Sequence, residues 1–249
     1  MRKIIYKGLL FLALNALMCY SQAQGTYLPR EDFSGAAYTL AVHEVNFEGV
    51  QNNSRLRLPY SSVKGSPYLT ESFLQADFYS PKGKMVGRQM ARINLATQEI
   101  HFIGEKEQEF VAPPELSNKV VFHSPEKADT FALFLRFVPG LQLGAKPLTD
   151  YVQQLTFGEA VLYKHAKRYV ASADSMFGTL KRYYFATTTS YFLKLDADPQ
   201  YINKFSLNAL LSILPQSEGM VAWSKSNKIN IRKEEDLIAL INHWNNTRR

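Results

Sequence analysis

Up to about residue 195 the hydrophobic and polar positions follow a pattern of strands and turns; after it they follow a helical one. The most patterned stretch covers residues 65–103. It opens with Gly65-Ser66-Pro67-Tyr68-Leu69, runs through Phe78-Tyr79 and turns at Pro81-Lys82-Gly83-Lys84. It then rises through residues 86–94, turns again at Leu95-Ala96-Thr97 and returns through Ile100-His101-Phe102-Ile103. Apolar runs of this length between Gly- and Pro-bearing turns predict an antiparallel meander. Ahead of it, residues 31–50 fit either a helix starting near Glu31 or a strand over residues 38–47. Asn52-Asn53-Ser54 is a turn cluster, and Leu56 and Leu58 alternate with Arg55 and Arg57 as a strand requires.

Strand signals continue beyond the meander. Residues 100–103 and 109–112 are placed to pair across a charged turn containing Gly104, and Pro113-Pro114 then breaks regular structure. Residues 120–122 form a short strand. Residues 131–137 form a stronger one, whose almost unbroken apolar run predicts cover on both faces. Residues 140–150 read as a loop. Two β segments follow, residues 159–170 and 182–195, the second with a turn around Thr187-Thr188-Thr189. The small polar residues 171–175 between them read as an exposed loop.

From Asp196 the period changes. Asp196-Ala197-Asp198-Pro199 is a turn, and Ser206 is an N-cap for a helix over residues 207–214 that Pro215 follows. Residues 218–226 suggest another short helix. Residues 233–244 form the clearest one: Leu237, Ile238, Leu240, Ile241 and Trp244 fall on one stripe, and Glu234, Glu235 and Asp236 occupy the first turn, where negative charge suits the helix dipole. The fold class is therefore α+β, predominantly β: an antiparallel meander forming a curved sheet or a partly closed barrel or sandwich, with a helical C-terminal segment. Its divisions are residues 1–23, a signal peptide; 24–195, a β-rich domain; and 196–249, a helical segment packed on the β body.

Composition agrees with this and adds a location. Aromatic residues make up 13% of the chain, with 14 Tyr and 16 Phe, types that suit pleated, half-buried surfaces. Arg2, Lys3 and Lys7 precede an apolar run over residues 9–18, and Ser21 and Ala23 occupy the small-residue positions of a signal-peptidase site. Cleavage after Ala23 would leave a chain without cysteine and without a membrane-spanning segment. Cys19 offers the competing lipoprotein reading, although Met18 precedes it where a small residue is expected. Residues 1–23 hold three basic residues and no acid, so their removal lowers the net charge from +7 to +4. That weakens any case for nucleic-acid binding, which needs clustered positive charge.

The order of several short motifs resembles a family of exported cell-envelope proteins of Bacteroidota-type bacteria. The residues that carry the resemblance are Gly65-Ser66-Pro67-Tyr68-Leu69, Arg92-Ile93-Asn94 followed by Glu99-Ile100, residues 158–164, Tyr191-Phe192, and Lys233-Glu234-Glu235-Asp236-Leu237-Ile238. Residues 140–157 depart from it. The resemblance implies an envelope location and a β-then-helix architecture, and implies no activity.

Candidate chemistry is sparse. The histidines, His43, His101, His123, His165 and His243, stand far apart, with no His-Glu-x-x-His pair; His101 and His123, on predicted strands, are the two that could meet in space, with Glu99 as a third partner. A structural role outweighs a zinc site, which needs three or four converging ligands. Asp77, Arg92 and Glu99 read as ordinary surface residues, and the acidic stretch 105–109 as a solvated turn. Asp196-Ala197-Asp198 lacks the Gly and closing Glu of a calcium loop. No Gly-x-Ser-x-Gly elbow and no phosphate-binding glycine motif occurs. Neither metal nor cofactor is expected.

What stands out is a basic, aromatic stretch on the later strands. Tyr163, Lys164, His165, Lys167, Arg168, Tyr169, Lys181, Arg182 and Tyr184 form the candidate interaction surface, suited to lipid headgroups, polyanionic glycans or an acidic partner. The competing account is a solvated strand face whose lysines discourage edge pairing. The reading that results is a non-catalytic exported protein of a Gram-negative envelope, periplasmic or outer-membrane-associated, acting as an accessory or interaction subunit, with peripheral membrane association possible. The alternatives are a periplasmic small-ligand or glycan-binding protein and a hydrolase with a dispersed site.

Overall fold

A computed structural model describes residues 38–48, 55–104, 107–124, 130–174, 181–195, 198–203, 205–215 and 219–248. The expected leader over residues 1–23, Cys19, the expected turn at Asn52-Asn53-Ser54 and the start of the alternative helix at Glu31 lie outside the described residues.

The meander forms around β4 (Leu74–Tyr79), β5 (Met85–Asn94), β6 (Glu99–Ile103) and β7 (Glu109–Val111). Gly83, at φ +74°, takes the tight position between β4 and β5, where its N–H donates to Ser80 O. Between β5 and β6 the Asn94 side chain accepts the N–H groups of Ala96 and Thr97, fixing the turn locally. The chain then reverses at Pro113-Pro114 and adds β8 (Lys119–His123) to the other edge of β4, followed by β9 (Thr130–Leu135), β12 (Val152–Gln154), β13 (Val161–Asp174), β14 (Lys181–Lys194) and β15 (Gln200–Tyr201). With β1 (Thr39–Leu40) on β7, these make one 11-stranded sheet in the order β1-β7-β6-β5-β4-β8-β9-β12-β13-β14-β15, antiparallel at every named pair. Strand β2 (Glu44–Glu48) pairs with β3 (Arg55–Pro59) as a separate ribbon. Within residues 38–48 the chain forms two short strands, β1 and β2, separated by irregular residues 41–43, which is nearer the second of the two readings.

The sheet is strongly curved and not closed. Arg168 N–H on β13 donates to Leu95 O, and the buried Gln98 side chain donates to Ala166 O while accepting from Tyr151 N–H. These bonds bring β13 against the β5–β6 turn. Between them lies the main core, where Ala76, Phe78, Ile93, Ile100, Phe102, Val120, Phe122 and Phe134 share one face. At the crossover, buried Tyr151 donates to Ser117, tying β12 to the turn that follows the prolines.

Helices α1 (Leu207–Leu211), α2 (Met220–Ser226) and α3 (Glu234–Thr247) cover the end of the sheet where Leu162 and Leu193 pair. Ser206 Oγ caps α1 by accepting from Ala209 N–H. Leu237, Leu240, Ile241 and Trp244 of α3 are fully buried there, and Trp244 Nε1 donates to Pro215 O. Asn245 reaches back to the loop before β13, accepting from Ala160 N–H and donating to Ala160 O and Phe157 O.

Four expectations are corrected. Residues 140–150 contain a small hairpin, β10 (Gln142–Leu143) with β11 (Lys146–Pro147). There is no turn at Thr187-Thr188-Thr189: β14 runs unbroken through it, since β-branched residues sit well in a ladder that β13 already sets. Ala171 to Asp174 continue β13 rather than forming a loop. Strand β15 places residues of the C-terminal segment in the sheet itself.

Candidate interaction site at the β14 edge

The paired strands β13 and β14 carry every residue of the candidate surface, in an unbroken register from Val161 opposite Lys194 to Asp174 opposite Lys181. Because side chains alternate, that surface is split between the two faces. Lys164, Arg168 and Lys181 point with Leu162 toward the helices and core; Tyr163, His165, Lys167, Tyr169, Arg182 and Tyr184 point the other way. Most of the cations are already satisfied. Lys164 Nζ meets Glu234 at 2.6 Å, and Tyr191 donates to the same carboxylate. Burial raises the Tyr191 pKa, and the Glu234 bond adds to that. His165 and Lys167 both contact Asp150 Oδ2 at 3.0 Å. Burial alone would raise the Asp150 pKa; these two partners outweigh it and hold it low. Arg168 donates to the carbonyls of Ser66 and Tyr68. Tyr163 is buried against Phe192 and Leu148. Lys164 and Lys167 therefore do not guard an edge: β13 is an inner strand, and their charges are internal clasps.

What remains exposed is the far end of the hairpin. Tyr169 is 48% and Tyr184 39% exposed, on the same face and diagonal across the strands. Lys181 and Arg182 are exposed beside them. Lys64, a residue outside the candidate surface, joins them: its N–H donates to Tyr183 O and its carbonyl accepts Phe185 N–H, so residue 64 lies along the outer edge of β14. A groove of about 710 Å³ forms here between Ser62, Lys64, Gly65, Ala173 and residues 181–185. A second hollow of about 310 Å³ adjoins it, sharing Gly65 and Phe185 and reaching Arg168 and Thr187. Gly65 lies between the two at φ +92°, a conformation that favours glycine. The ribbon β2–β3 supports the groove from below, with Phe47 edge-on to Tyr183 at 5.1 Å and Leu58 and Val63 packed on Val170.

A second constellation lies on the polar face of the meander. Glu109 is the acceptor at its centre: Arg92 donates to both of its oxygens at 2.9 Å, His101 Nδ1 contacts Oε1 at 2.7 Å and His43 Nε2 contacts Oε2 at 2.8 Å. Arg92 lies over the Tyr68 ring at 3.5 Å and also donates to Glu71 O. Burial raises the Glu109 pKa, but His101 and Arg92 outweigh it and bring it to about 2. Burial opposes the charge on His101, and its bonds to Glu109 and Glu99 overcome that to raise its pKa. His43, His101 and Glu109 are a ligand set of the zinc-binding kind, with ligand atoms within 4.8 Å of one another. However, Arg92, both imidazoles and Tyr68 already saturate the carboxylate, and a dication would have to displace the guanidinium. The cluster is a clasp that holds residues 60–73 on the sheet.

This overturns several expectations. Glu109 is not in a solvated turn; its side chain is 12% exposed. Asp77 is buried, between Arg88 and His123, and Arg92 is 13% exposed. His101 contacts Glu99, as expected, but not His123: strands β5 and β4 separate them by about 14 Å of strand spacing. Comparison with protein-family models, curated proteins and solved structures finds no match.

Proposed function

We propose that the protein is a non-catalytic interaction subunit of the bacterial cell envelope, near the outer membrane, which engages a partner at the β14 edge. The observation that carries this reading is the convergence of Lys64, Lys181 and Arg182 with Tyr184 and Phe185 around one open groove, where no carboxylate among the described residues pairs with these cations. Tyrosines beside cations supply rigid contact area and charge complementarity, the combination that anchors interfaces. The leader over residues 1–23 supports export. A hydrolase lacks its nucleophile: among the described residues, His43, His101, His123 and His165 hydrogen-bond to carboxylates or to Tyr68, His243 stacks on Trp223, and no serine, threonine or cysteine side chain hydrogen-bonds to a histidine.

Affinity purification of the tagged full chain from native envelopes tests the reading. A defined envelope protein should co-purify with the wild type and be lost with the double variant Lys181→Glu/Arg182→Glu. Recovery of the free chain alone would contradict it. The aromatic lining and the groove volume also suit a glycan; glycan binding to the purified chain, with no protein recovered from envelopes, would favour that second reading.

A further inference from the structure

The outer edge of β14 is paired at both ends and open between them. Lys64 bonds to Tyr183 and Phe185 at one end, and Ile202 N–H donates to Tyr191 O at the other. These bonds show that the odd-numbered residues of β14 aim their main-chain groups away from β13. The N–H and C=O of Thr187 and Thr189 therefore face outward, where no strand pairs with them among the described residues. The gap from Phe185 to Tyr191 spans roughly 20 Å at ordinary strand rise. Thr187, Thr188 and Thr189 are exposed, β-favouring and uncharged, and the stretch holds no proline, bulge or lysine of the kind that blunts an edge. Arg88 and Asp77 show that this chain can neutralise a charge elsewhere in the sheet; here it places none.

We infer that this gap is a binding site for an extended acidic segment of another protein, which adds to the sheet as a strand along Phe185 to Tyr191. The inference rests on the interaction reading and specifies its mode. Main-chain pairing to Thr187 and Thr189 supplies register, as in other cases of strand addition. At the Phe185 end the two hollows meet across Gly65, which has no side chain to bar the crossing. A segment leaving the gap there enters the groove bearing Lys64, Lys181 and Arg182, which selects for acidic residues. A second copy of this chain is the wrong occupant. Strand β14 carries Lys181, Arg182 and Lys194 and no acid, so antiparallel pairing of two β14 edges sets cation against cation.

The test uses the full mature chain and an array of peptides of about six residues, alternating Thr or Val with varied residues, each ending in a run of Glu or of Lys. Wild-type protein should be captured by the Glu series in preference to the Lys series. Thr187→Pro removes one outward N–H and none from the β13 ladder; it should weaken capture roughly five- to tenfold with an unchanged circular dichroism spectrum. N-methylation of alternate peptide amides should do the same without touching the protein. Lys181→Glu/Arg182→Glu should abolish the preference for Glu. Capture by neither series, equal capture of both, or capture indifferent to both Thr187→Pro and N-methylation overturns the inference. So does a homodimer that Thr187→Pro dissociates. If envelope purification recovers a partner that Thr187→Pro still binds, the strand-addition mode fails while the interaction reading stands.

Discussion

Glu109 shows how much one side chain can organise. It is held among Arg92, His101, His43 and Tyr68, and through Arg92 and Tyr68 it anchors residues 60–73 to the meander. Its pH behaviour follows from the shifts. A carboxyl lowered from 4.5 to about 2 contributes stability above pH 4.5 that is lost as pH falls toward 2. A histidine raised above 6.5 contributes stability below pH 6.5 that is lost as pH climbs through its raised value. The clasp is strongest between these limits. Denaturant unfolding of Glu109→Gln should show a loss of roughly 3 kcal/mol there, narrowing on both sides; a loss independent of pH would remove the clasp. Little of this was legible in the sequence. Glu109 sits two residues after Glu107 in an acidic run, and only the β6–β7 register, which sets it beside Ile103 and brings Arg92 within reach through β6, distinguishes it from a solvated acid. Gly158 is a second residue-scale case. At φ +129°, a Cβ there would come within 2.8 Å of the buried Asn245 side chain. Gly158→Ala should cost about 2 kcal/mol by the same measurement, from strained backbone and a displaced Asn245; a neutral effect would contradict that packing.

Elements were more legible than residues, because periodicity reports burial. Strand β5 and helix α3 were readable: Ala91 and Ile93 alternate with Arg92 and Asn94, and Leu237, Leu240, Ile241 and Trp244 recur at three and four. Strand β14 was readable except at its centre, since a run of three threonines has no apolar alternation and resembles turn composition. It is a strand because β13 supplies a continuous ladder. The short strands β10, β11, β12 and β15 depend on neighbours for their pairing and carry little pattern of their own. Helix α3 bears most of the weight at its end of the sheet. Trp244→Ala should destabilise by roughly 3–5 kcal/mol in urea unfolding, since its ring is fully buried among Leu162-side residues and its N–H has a partner. A change below about 1 kcal/mol would mean that α3 docks without being part of the core.

At the scale of the molecule, the sheet curls upon its own apolar face and leaves one strand edge open. Cationic residues grouped in sequence are divided by their position along the hairpin into clasps at Glu234 and Asp150 and an exposed cluster at its far end, where Lys64 joins Lys181 and Arg182. Sequence pattern found the strands that carry the site. It could not reveal Lys64, which is more than a hundred residues away from β14 and arrives only through the pairing of residue 64 with Tyr183 and Phe185. The account turns on that edge being occupied in the envelope. Site-specific photo-crosslinking in the native cell tests it most directly, with a photoreactive residue at Thr188, in the middle of the gap, and at Lys82, on the exposed β4–β5 turn. The account predicts one discrete adduct from Thr188, lost on adding Thr187→Pro or Lys181→Glu/Arg182→Glu, and none from Lys82. No adduct at Thr188, or the same adduct from both positions, would contradict it.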